Sequence, residues 1–206
     1  MSATLRTPAA PSARMYALTS RAVIRADAMG LLRAQLDAPE QQSPHERVTL
    51  LEVLQTARRA GIARGLSAPM DPNDGLQWEG LALDLLEALE ESPLPRTEWV
   101  GLERALGAEL LASLVGVSTS SLRRYSAGAR PTPDDVAARL HHVALIVGDI
   151  AGSYNDIGVR RWFARPRAQL GTQTPATVLT GAWDPRGEGP MRVRALAASL
   201  LGAPAT

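Results

Sequence analysis

The chain has no cysteine and no lysine, a single phenylalanine, and aromatics at only 4% of its 206 residues. Without cysteine there is no disulfide, no thiol nucleophile and no thiolate metal site, and a reducing, cytoplasmic setting is expected. Without a run approaching 18 consecutive apolar residues, no transmembrane helix is expected. Scarce aromatics beside abundant Ala, Leu and Arg argue against an all-β chain, because those three are strong helix formers. At 45% apolar and 21% charged, the composition is globular and suits one large domain or two small ones.

Charge is uneven along the chain. Residues 1–95 carry nine arginines against twelve acids, a net of −3, and residues 96–206 carry thirteen against nine, a net of +4. Such a back half is compatible with nucleic acid without arguing for it. The exclusive use of arginine is what a GC-rich genome produces and carries no functional weight. Met1–Arg14 is rich in Ser, Ala, Pro, Thr and Arg, with no acid before Asp27 and no apolar stretch of signal-peptide length. A transit peptide shares that composition; a frayed terminus is the commoner source of it. Residues 1–40 are therefore expected to be a flexible tail and linker.

Helical signals then fill the chain. Ser43-Pro44-His45-Glu46 reads as a capping box opening a helix with Val48, Leu51 and Leu54 on one face. Ser67–Gly75 reads as a loop. Trp78, Leu81, Ala82, Leu85 and Leu89 form a second helical stripe, ended by Pro93 and Pro95. This places a helical extension of unknown role at 41–95, with packing as its default task. Beyond it, Thr97 is expected to cap a helix holding Trp99, Leu102 and Leu106. Thr132-Pro133-Asp134-Asp135 opens a long helix, with Thr as cap and acids at the positive end of the dipole. Its stripe is Val136, Leu140, Val143, Ala144, Val147 and Ala151. Short helices follow at Asp156–Phe163, after Thr174-Pro175 and from Pro190. The expected fold is all-α.

Residues 108–130 read as a helix-turn-helix within a region 96–152. Leu111, Leu114 and Val115 form the inner face of a short first helix, Gly116 permits the turn, and Ser118 caps a second helix anchored by Val117, Leu122 and Tyr125. Ser118, Thr119, Ser120, Arg123, Arg124 and Arg130 are left outward, where such units meet base edges and phosphates. A plain helical hairpin with a solvated arginine face is the competing reading. A bidentate Arg–guanine contact discriminates by roughly 1–3 kcal/mol, so specific binding calls for a dimer on two-fold operator DNA.

The segment 153–206 carries Trp162-Phe163, Pro166, Leu170-Gly171, Thr174-Pro175 and Gly189 before a Val193–Leu196 helix. In this order the motifs resemble the toxin-binding domain of the Xre/MbcA/ParS family of bacterial antitoxins, which follows an Xre-like helix-turn-helix as it does here. The resemblance spans about residues 97–201. It departs at Thr172, where family members often have a second glycine. It implies a dimeric, non-enzymatic antitoxin without cofactor, which neutralises an NAD-consuming RES-domain toxin by direct contact and represses its own operon. It also implies that the last helix and tail, Arg192–Thr206, approach the toxin's cleft. On physical grounds the cluster Arg160, Arg161, Trp162, Phe163, Arg165 and Arg167 supports an interface, since Trp and Arg are enriched at interface hot spots. Arg160, Arg161, Trp162, Arg165 and Trp183 are the candidate toxin contacts there, and the resemblance adds Arg192 and Arg194 of the last helix. Core burial is the alternative for Trp162 and Trp183, and the favoured reading for Phe163.

Enzyme signals are weak. His45 is expected at an exposed helix start, and His141 and His142 are adjacent on a helix, so they form no i, i+4 metal pair. No H-E-x-x-H, P-loop, G-x-G-x-x-G or G-x-S-x-G occurs. A stand-alone helix-turn-helix regulator and an adaptor that no longer binds DNA are the alternatives to an antitoxin.

Overall fold

The computed structural model describes residues 12–32, 49–71 and 73–202. Among them all regular structure is helical: α1 (Ala13–Ala28), α2 (Leu50–Arg59), α3 (Gly75–Glu91), α4 (Pro95–Leu106), α5 (Ala108–Val115), α6 (Thr119–Ser126), α7 (Asp134–Ile150), α8 (Asp156–Ala164), α9 (Pro175–Val178) and α10 (Glu188–Ala198). Two 3-10 turns, Ala168–Leu170 and Ser199–Gly202, complete the set. No helix among the described residues is long and apolar enough to cross a membrane.

α7 is the axis of the fold. Its sequence is apolar nearly all round, the pattern of a helix with no solvent face, and every residue from Arg139 to Ile150 is buried. α1, α4, α5 and α10 pack around it, and α1 also packs on α3. The predicted stripe of α7 lies inward as expected, with Ala151 only partly covered.

α1 corrects the expectation of a tail over residues 13–28. Ser12 Oγ accepts the Met15 N–H as its cap, and Leu18, Ala22, Val23 and Ala26 are buried. The reason is close packing: Gly148 of α7 has no side chain where the Arg25 backbone crosses it. Few large apolar residues are needed for such a contact, so composition alone concealed it.

Several helix starts also shift. The Ser43–Glu46 box, His45 and Val48 lie outside the described residues. α2 starts at Leu50, capped reciprocally by Thr49 and Glu52. That register buries Leu50, Val53, Leu54 and Ala57 and leaves Leu51 exposed. α4 begins with Pro95 in its first turn, so Thr97 is inside the helix and its hydroxyl donates to the Leu94 carbonyl. Thr132 likewise does not cap α7; its hydroxyl accepts the Trp99 Nε1–H at 2.9 Å, and Pro133 holds the cap position. α10 starts at Glu188, with Pro190 already buried in its first turn. The apolar side chains on either side of Pro93–Pro95 join one core.

Candidate nucleic-acid and partner interfaces

α5 and α6 are joined by a turn whose hydrogen bonds are complete. Gly116 adopts φ +74°, the left-handed region that favours glycine. The Val117 N–H then reaches the Ala112 carbonyl and the Gly116 N–H the Ser113 carbonyl, a Schellman closure. The last two carbonyls of α5 are taken by distant side chains. Trp183 Nε1–H donates to Leu114 at 2.8 Å, and Arg139 Nε–H to Val115 at 2.8 Å. All four orphan acceptors of the helix end are thereby satisfied. A Cβ on Gly116 would stand 2.3 Å from the Gly181 carbonyl oxygen, so the C-terminal segment lies directly on this turn.

α6 presents the sequence-predicted residues on one exposed face. Ser118 Oγ accepts the Ser121 N–H at 3.1 Å as the cap and shares hydrogen bonds with the Ser120 and Ser121 hydroxyls. Thr119, Ser120, Arg123 and Arg124 are exposed, and the two arginines form no ion pair among the described residues. Arg130 is exposed too, its guanidinium 5.8 Å from the Tyr125 ring centre. Inward, Leu122 and Tyr125 are buried, and Tyr125 stacks on Trp99 with centroids 5.7 Å apart. Val117 is half-buried against the core.

The predicted toxin contacts divide into two sets. Arg161, Arg165 and Arg192 are exposed, Arg192 paired with Glu188 one turn away. Trp162 turns inward: it is only 2% exposed and packs edge-on against the fully buried Phe163. Its indole fills the α8 core face, which removes it from the exposed contacts. Arg160 bonds the Ala105 carbonyl at the end of α4 at 2.8 Å. Trp183 is committed to Leu114 and lies edge-on to His142. Of the expected Arg192–Thr206 arm, residues 203–206 lie outside the described residues.

Arg194 belongs to a buried charge cluster that the sequence did not reveal. Asp149 of α7 pairs with Arg25 of α1 at 3.0 Å and with Arg194 of α10, and both arginines also reach Glu90 of α3. Burial pushes Arg194 down to about 10 and lowers Arg25. Burial alone would raise Glu90; the charges of Arg25 and Arg194 outweigh it and hold the carboxyl low.

The two adjacent histidines face different neighbours. His141 sets Nδ1 2.6 Å from a Glu98 carboxyl oxygen and Nε2 2.8 Å from the Glu90 carbonyl. Burial opposes its charge, but the Glu98 hydrogen bond and charge prevail and its pKa is raised. His142 donates from Nε2 to the Pro190 carbonyl at 3.2 Å, and burial pushes it down to about 4. Among the described residues no group of three or more His, Asp or Glu is arranged to hold a metal ion.

Compared with protein-family models, curated proteins and solved structures, the chain finds no match.

Proposed function

We propose that this chain is the antitoxin of a type II toxin–antitoxin pair, a non-enzymatic cytoplasmic protein that blocks a RES-type, NAD-consuming toxin by contact. It would act as a homodimer and repress its own operon through an Xre-like helix-turn-helix formed by α5 and α6. The observation that carries the reading is the coupling of its two parts. A capped short helix with an exposed Arg123–Arg124 face is braced by the segment that bears the family-like motifs, through Trp183 on Leu114 and Gly181 on Gly116.

The departure at Thr172 fits the same reading. Thr172 has φ +64°, just after Gly171 at φ +63°. A β-branched residue is costly there, by roughly 1–2 kcal/mol, and glycine is the residue that such a backbone favours. Where the family pattern has its second glycine, this chain keeps the glycine-type conformation. Thr174 then caps α9 with Pro175 in its first turn, as the sequence pattern predicts.

Co-expression tests neutralisation. Cells arrested by the RES-type toxin encoded beside this gene resume growth when the chain is supplied; arrest that persists beside a folded, co-expressed chain overturns the proposal. A stand-alone regulator would retain DNA binding without any rescue.

A further inference from the structure

We infer that a small basic cavity at the start of α8 is a receptor for the carboxylate of an acidic side chain on a protein partner. This deepens the proposed reading, on which it rests, by naming the chemistry that the partner must present. The cavity holds about 200 Å³ and is lined by Tyr154, Gly158, Arg161, Trp162, Arg165 and Arg167. That is below the 300–1,000 Å³ or so of cofactor and ligand pockets, so it accommodates a functional group rather than a whole nucleotide.

Three guanidinium groups line it and no carboxylate does. None of the three forms an ion pair among the described residues; Arg161 and Arg165 are exposed and Arg167 is half-buried. Arg167 is held over the Trp162 ring, 5.4 Å from its centre, and its buried Nε has no hydrogen-bond partner. Buried polar atoms are paired in roughly 90% of cases, so Arg167 is short of an acceptor. Carboxylates answer that need well, because two parallel N–H···O bonds match the guanidinium fork.

The walls are fixed in advance. A Cβ on Gly158 would stand 2.9 Å from Tyr154 Cβ, so only glycine there lets the tyrosine lie across the first turn of α8. The rim then decides between a protein and a nucleic acid. Tyr154 is 40% exposed, and Ile157, one helical turn before the lining residue Arg161 on α8, is 55% exposed. An apolar rim around a charged centre suits a protein interface, where hot-spot pairs are shielded from water. A phosphate backbone would meet Ile157 without gain.

Titration of the full-length, 15N-labelled chain tests this, with the Arg161, Arg165 and Arg167 Nε–H resonances assigned through single Arg→Lys variants. The probes are the capped tripeptide Leu-Glu-Leu, its Leu-Gln-Leu counterpart and a short DNA duplex. The Glu peptide should move all three resonances along one saturable curve while the Gln peptide leaves them in place. Combining Arg161→Ala with Arg165→Ala, both exposed, should weaken the Glu peptide about tenfold. Equal responses to Glu and Gln, no response at all, or displacement of the peptide by the duplex would each overturn the assignment. No toxin is used, so failure of this test and failure to neutralise a toxin are separate results.

Discussion

Trp183 shows how one side chain ties the two halves of the candidate interface. Its indole N–H donates to the Leu114 carbonyl at the end of α5, and the ring packs against His142. Trp183→Phe keeps much of the ring and removes the donor. A buried acceptor left unpaired costs roughly 1–3 kcal/mol, so the urea midpoint should fall by that amount with the helical circular dichroism retained. An unchanged midpoint would show that water serves Leu114 equally well. The two histidines give a pH signature of opposite signs. His142 is held near 4, against about 6.5 in an unfolded chain, so its contribution is complete above about pH 6.5 and is lost as pH falls toward 4. That loss is worth roughly 3 kcal/mol. His141 is raised, so its contribution is complete below about pH 6.5 and is lost as pH rises through its folded value. The urea midpoint should therefore peak near pH 6.5, and His142→Gln should flatten the acid limb, since glutamine can still donate to Pro190.

At the scale of the element, α6 illustrates what a sequence shows well. Ser118 as cap, Leu122 and Tyr125 inward, and Arg123 and Arg124 outward all follow from a 3.6-residue period within eight residues. If α6 reads duplex DNA, Arg123→Ala with Arg124→Ala should abolish the shift of the operon's own upstream DNA at ordinary salt and leave only weak binding at low salt. Loss of two phosphate contacts should lower the slope of log affinity against log salt by about 2; binding that is undiminished and insensitive to salt would exclude α6 as the reader. Helix starts were harder to place, because Thr97 and Thr132 both have the chemistry of a cap. Thr97 lies inside a helix begun by Pro95, and Thr132 is claimed by Trp99, a partner 33 residues away. α1 was missed because the tail-like composition of Met1–Arg14 was extended over it, and its buried face has only Leu18 and Val23 as larger apolar residues among alanines and Arg25.

At the scale of the whole molecule, the cluster of Arg25, Glu90, Asp149 and Arg194 draws four helices together. Those residues are up to 169 positions apart in number, and each reads locally as a charge on a solvated face. Their convergence was therefore illegible before the helices were packed. Asp149→Ala would leave two buried guanidinium groups without their shared anion. Breaking a buried pair in this way costs about 3–5 kcal/mol, and a fall of that size in unfolding free energy is expected. Glu90→Gln should cost much less, because Glu90 is 52% exposed and water can replace it. Equal losses for the two variants would argue against Asp149 as the centre of the cluster.

The antitoxin reading meets its most direct test in the steady-state NAD consumption of the neighbouring RES-type toxin, titrated with the purified chain. The reading predicts that consumption falls in proportion to added chain and stops at a fixed stoichiometric ratio. Turnover that continues unabated in excess folded chain would contradict it.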